Sequence, residues 1–170
     1  MNSTDKTVIE VRKIPGGFIK NPVHLLALGF GAGLAPKLPG TAGTVVGVLF
    51  YLMLQHLPVL YYTGVLVVLI ISGIWICGRT ARDLGVHDHP AIVYDEIVGY
   101  LVTMCMAPSG WLWIVSGFIL FRLFDIWKPW PIRWLDRRVT GGFGVILDDL
   151  VAGVVAMLIL QFMVRTTISF

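Results

Sequence analysis

The sequence predicts an all-α integral membrane protein of about five transmembrane helices with a short re-entrant or interfacial N-terminal segment. Three observations carry that expectation. Of 170 residues, 56% are hydrophobic and only 14% charged, against about half and about a quarter in soluble domains, and the mean hydropathy is +0.82. The apolar residues gather in runs long enough to enter a bilayer. Eight of the ten acids, Asp83, Asp88, Asp95, Glu96, Asp125, Asp136, Asp148 and Asp149, sit at or beside the ends of those runs. Ionised groups at such positions are costly to keep, and they point to a site.

In chain order, residues 1–21 mix charges of both signs and read as a cytosolic lead. Residues 22–164 read as one transmembrane domain, and residues 165–170 as a C-terminal tail. The apolar stretch 22–36 is too short to span. Nor does it read as a signal peptide, since Asp5 and Glu10 spoil the basic leader and no A-x-A site follows; it is expected to be interfacial or re-entrant. A first span is expected over 44–57, extended back to 41, and a second over 60–77, with Pro58 between them. The run 97–121 is either one long span or two short ones broken at Ala107-Pro108-Ser109-Gly110, and the adjacent proline and glycine favour the hairpin. A last span covers 150–164.

Charge placement also favours the hairpin. With it, segments 31–43, 79–96 and 122–149 share one face, which carries Lys37, Arg79, Arg82, Arg122, Lys128, Arg133, Arg137 and Arg138 while the other keeps Arg165. That asymmetry marks a cytoplasmic face, with the N-terminus inside and the C-terminus outside.

Composition and spacing exclude several classes. A net charge of +3, with basic residues lying between apolar spans, argues for membrane lipids as partners and against nucleic acid. No obligate protein partner is evident. Cys77 and Cys105 lie inside apolar runs with no metal-ligand spacing. A Cys-x5-Arg phosphatase loop fails because Asp83 and Trp111 stand where arginine is required.

Four segments carry chemistry. Asp95 and Glu96 would sit in the first turn of the third span, where the helix dipole favours acids. Capping needs only one of them, and His87, Asp88 and His89 lie just upstream. A metal role for the two histidines alone is weak. Arg122, Asp125 and Lys128, at i, i+3 and i+6, stack on one helix face: an ion-pair ladder, or a phosphate clamp whose aspartate faces a metal. Pro129 and Pro131 are expected to stop that helix and hold the chain extended toward Arg133. Trp127, Trp130 and Trp134 fit the headgroup belt. Asp148 and Asp149 are expected to open the last helix after Gly141, Gly142 and Gly144, whose backbone would admit an anion. The loop 29–44 is glycine- and proline-rich but is no P-loop; its Thr41 would cap the first span or touch phosphate. Clustered carboxylates of this kind suit Mg²⁺ or Mn²⁺, and the basic residues suit a phosphoryl group.

The run Gly29-Phe-Gly31-Ala-Gly33-Leu-Ala-Pro36 with Pro39-Gly40-Thr41, His87-Asp88 with Ile92-Val93-Tyr94-Asp95-Glu96, Phe121-Arg122 through Lys128-Pro-Trp-Pro-Ile-Arg133 to Asp136-Arg137, and Gly141-Gly142 with Asp148-Asp149 and Ala152-Gly153 together resemble phosphatidylglycerophosphatase A. The resemblance spans about residues 21–153. It implies a multi-pass enzyme of the bacterial inner membrane, its active face cytoplasmic. The enzyme would take the terminal phosphate from phosphatidylglycerophosphate with Mg²⁺, giving phosphatidylglycerol. The family's motif acids would map to Asp95, Glu96, Asp125, Asp136, Asp148 and Asp149. On this reading Asp95, Glu96, Asp125, Asp148 and Asp149 are both catalytic and metal-binding, with Asp125 either ligand or nucleophile. Arg122, Lys128, Arg133, Arg137 and Thr41 contact phosphate, and the general acid is His87, His89 or water. The alternatives are a CDP-alcohol phosphotransferase-like enzyme, whose D-x2-D-G-x2-A-R string is absent, and a cation-coupled carrier, whose acids would lie near mid-membrane.

Overall fold

The computed structural model describes residues 14–86 and 89–168, and every element assigned among them is helical. After a 3₁₀ turn at Phe18–Lys20, α1 covers Pro22–Ala27. Asn21 caps it through Oδ1, which accepts from the Val23 N–H at 3.0 Å, and Pro22 takes the first helical position, where a missing N–H costs nothing. A kinked 3₁₀ segment, Gly29–Leu34, leads into α2, Pro39–Leu54. The remaining helices are α3, Val59–Leu84; α4, Tyr94–Thr103; α5, Trp111–Trp127; α6, Ile132–Arg138; and α7, Gly141–Ile168.

Among the described residues two helices, not five, are long and apolar enough to cross a membrane: α3, and α7 over Gly141–Thr167. The other expected spans exist as helices but are short, at 16 residues for α2, 10 for α4 and 17 for α5. At 1.5 Å per residue α4 is roughly 15 Å long, about half a hydrocarbon core. The break between α4 and α5 is present, as the hairpin reading expected. Met106 at φ 61° and Gly110 at φ 133° turn the chain there. The stretch 22–36 folds as two short helical turns packed on α3 and α2, and the Val93 N–H donates to Ala27 O at 2.9 Å.

Helix α4 is the hub. It packs against α2, α3, α5 and α7, and every residue but Glu96 is buried. Its neighbours turn apolar side chains outward instead: Met53 and Leu60 are each 78% exposed. Only 22% of the most apolar stretch of α3 is buried, whereas the core helix of a soluble protein would be mostly covered. Such a surface belongs in lipid.

Without water to squeeze out, helices in such a fold must gain contact by close approach. Gly78 of α3 faces Gly142 of α7, and a Cβ on Gly142 would overlap Ile74 O and come within 2.7 Å of Gly78 Cα. Gly142 thus serves close backbone contact, and helix α7 begins at Gly141 instead of at Asp148. Gly142→Ala is expected to cost about 1–3 kcal/mol through overpacking, read as an unfolding temperature several degrees lower in detergent.

Candidate active site

The N-terminal ends of α2 and α4, the C-terminal end of α5 and the first two turns of α7 meet in one place. Asp95 and Glu96 occupy the first turn of α4, as the sequence reading expected. Asp149 reaches the same point from inside α7, two turns past its start at Gly141. The expectation that Asp148 and Asp149 open this helix is therefore corrected. Placing them at i+7 and i+8 from Gly141 recesses their carboxylates by roughly 10 Å along the axis.

Asp95, Glu96 and Asp149 each offer a carboxylate oxygen to one spot, with these oxygens all within 4.8 Å of one another. Asp95 and Asp149 are buried and Glu96 nearly so. Asp95 Oδ1, Glu96 Oε2 and Asp149 Oδ2 are buried and hydrogen-bond to nothing. Buried polar atoms are otherwise almost always satisfied. Three carboxylates cannot all stay ionised in such proximity without a cation between them. Oxygen-only donors at this spacing fit a hard divalent ion such as Mg²⁺.

Arg122 is the nearest fixed positive charge. Its Nη1 pairs with Asp125 one turn on and lies 3.9 Å from Glu96 Oε1, while its Nε has no partner. Asp125 also sits close enough to Glu96 and Asp149 for their charges to interact. The expected ladder ends there, since Lys128 takes a left-handed conformation (φ 43°) and leaves the helix face. Its Nζ instead donates to Asp148 Oδ2 and, at 3.1 Å, to Asp136 Oδ1. Burial alone would lower the Lys128 pKa, but Asp148, with Asp136 behind it, outweighs burial and holds it above the ordinary lysine value. Lys128 therefore stays charged. Asp148 and Asp125 each have a cationic partner, and the other three candidate ligands share a space with unfilled acceptors.

Gly40, which sequence reading treated as loop, is a wall of this space. A Cβ there would overlap Glu96 Oε1 and come within 3.0 Å of Arg122 Nη1. The signal available was Pro39-Gly40 at a helix start. Thr41 follows it in the first turn of α2, half-buried, without capping the helix.

Arg133 and His89, among the remaining candidates, have partners other than the three carboxylates. The chain after Pro129 is not extended. The Ile132 N–H donates to Pro129 O at 2.8 Å, and α6 begins at Ile132. Arg133 lies on α6, exposed, and donates to Trp127 O at 3.3 Å. His89 is buried, its Nδ1 accepting from the Ala91 N–H at 3.1 Å, which is a structural contact. His87 and the Arg137 side chain lie outside the described residues. Sequence reading missed another group: His24, buried on α1, holds Thr80 Oγ1 at 2.9 Å and Asp83 Oδ2 at 3.3 Å. Its partners lie more than fifty residues away, beyond the reach of local pattern.

Comparison with known proteins agrees over most of the chain. The family described as Phosphatidylglycerophosphatase A matches residues 25–164. The chain is 48% identical over 145 residues to phosphatidylglycerophosphatase A of Escherichia coli (strain K12), covering 85% of this chain and 84% of that protein. It is 44% identical to phosphatidylglycerophosphatase A of Haemophilus influenzae over 144 residues, covering 82% and 86% of the two chains. A Bacteroides thetaiotaomicron protein with the provisional name phosphatidylinositol-3-phosphatase is 35% identical over 144 residues, covering 80% and 89%. No solved structure matches.

The crowded carboxylates have a consequence for stability. In buffer with a chelator, Asp149→Asn is expected to relieve repulsion and raise the unfolding temperature by about 2–4 °C, equivalent to about 1 kcal/mol. A divalent cation is expected to raise the melting temperature of the parent protein but not of this variant, and differential scanning fluorimetry in detergent reads both effects.

Proposed function

This chain belongs to the phosphatidylglycerophosphatase A family, and we infer that it hydrolyses the terminal phosphate monoester of phosphatidylglycerophosphate, releasing inorganic phosphate and phosphatidylglycerol. It is a membrane-embedded lipid phosphatase, and its family match over residues 25–164 carries that assignment.

The site reading rests on the three unsatisfied carboxylate oxygens of Asp95, Glu96 and Asp149. These residues would hold Mg²⁺, with Asp125 and Asp148 flanking them. Bound there, the ion would supply Lewis-acid charge to offset the negative charge of the phosphate. Arg122 offers a guanidinium that Asp125 keeps in place, and its free Nε–H is available to a phosphoryl oxygen. Lys128, fixed by Asp148 and Asp136, adds a second positive charge that would offset the charge building on the phosphoryl group. Gly40 walls this space beside Glu96 and Arg122, and Thr41 follows it in the first turn of α2. Because Asp125 is engaged by Arg122, water is the favoured attacking group and Asp125 a positioning residue. The leaving alcohol would take its proton from water, His87 or His89, whose Nδ1 accepts from the Ala91 N–H and so leaves the proton on Nε2.

The basic residues of this end, Arg79, Arg82, Arg122, Lys128, Arg133 and Arg138, against Arg165 at the far end of α7, support a multi-pass orientation in the bacterial inner membrane with the site facing the cytoplasm.

The test is phosphate release from phosphatidylglycerophosphate by purified protein in micelles. Chelation is expected to abolish release and Mg²⁺ to restore it. Asp95→Asn and Asp149→Asn are each expected to lower kcat on the order of a hundredfold. Full activity in either variant would remove the ligand assignment, and an acid-stable aspartyl-phosphate caught by rapid quench would replace water with Asp125 as the attacking group.

A further inference from the structure

Between the end of α5 and α6 lies a cavity of about 570 Å³ whose lining includes Trp127, Lys128, Trp130, Arg133, Trp134 and Arg138. Its size is that of a ligand pocket. Among its described lining residues there are three cations and no carboxylate, and one of these cations, Lys128, also reaches Asp148. The pocket and the catalytic carboxylates are therefore linked through a single side chain. Arg138 sits over the Trp134 ring at 5.4 Å, which holds the guanidinium while leaving its N–H groups free. Trp127 is shared with a largely apolar groove along α5, lined also by Ile119, Arg122, Leu123 and Ile126.

The substrate inferred above carries two phosphates, a terminal monoester that is cleaved and an internal diester that is not. The carboxylate cluster with Arg122 accounts for one. We propose that the tryptophan-arginine pocket binds the internal diester phosphate, with Arg138 and Arg133 as its recognition residues, and thereby selects a lipid with two phosphates over one with a single phosphate. The groove on α5 then takes the acyl region of the same lipid, so that Trp127 stands at the join of headgroup and chain. Binding the non-reacting phosphate holds the reacting one in register, which is where remote binding energy acts.

This inference rests on the phosphatase reading. Arg138→Gln, Arg133→Gln and Arg138→Lys are assayed in micelles with phosphatidylglycerophosphate, and with phosphatidic acid as substrate or competing lipid. For Arg138→Gln and Arg133→Gln the KM for phosphatidylglycerophosphate is expected to rise roughly tenfold, with kcat changing far less. The preference over phosphatidic acid is expected to shrink by the same factor, and Arg138→Lys to recover part of it. An unchanged KM, a fall in kcat alone, or equal weakening toward both lipids would overturn the proposal. Parent protein that releases no phosphate from phosphatidylglycerophosphate would instead overturn the phosphatase reading itself.

Discussion

Three carboxylates converge where one guanidinium is the closest fixed positive charge, and the architecture around them is arranged to hold that arrangement. In a medium of low dielectric, like charges at a few ångströms repel strongly, and a buried unpaired acceptor adds its own desolvation cost. The fold sustains both because Asp95 and Glu96 are locked at the head of a helix buried on every side, and Asp149 belongs to a second helix packed along it. No single loop could impose such crowding. The strain is spread over a junction of four helices, which holds the three carboxylates in place before any partner reaches them.

Close helix approach makes that junction possible. Gly99 and Gly153 let α4 and α7 touch, with a Cβ on Gly153 reaching within 3.2 Å of Val102 Cβ. Gly40 brings α2 up against Glu96 and Arg122. In a protein whose exterior is as apolar as its core, this shape matching substitutes for the hydrophobic drive that orders soluble domains. The glycines thus belong to the site as much as to the scaffold, because a side chain at Gly40 would displace the ligand rather than merely loosen the packing.

Much of this was legible in the sequence. The apolar runs, the break before Trp111 and the acidic head of α4 follow from periodicity, turn residues and helix electrostatics, all local effects. What failed was also local. Gly141 to Gly144 looked like a loop because glycine disfavours helix, yet packing against α3 carries α7 through them. Pro129 and Pro131 looked extended, yet Pro131 stands just ahead of α6, where proline is harmless. The number of crossing helices was overestimated, because α2, α4 and α5 are apolar but stop short of a full span, whereas α3 and α7 run well past the 60–77 and 150–164 expected of them. Lys128 read as a third rung with Arg122 and Asp125; its true partner Asp148 lies twenty residues on, and only the tertiary fold reveals it.

The brevity of α4 carries one more consequence. At roughly 15 Å it covers about half of a hydrocarbon core, so the acids at its head and the turn at its tail stand closer together than two headgroup planes. A bilayer that seats both of them near water must thin around the protein, and such thinning has an elastic cost that rises with the mismatch between protein and hydrocarbon thickness.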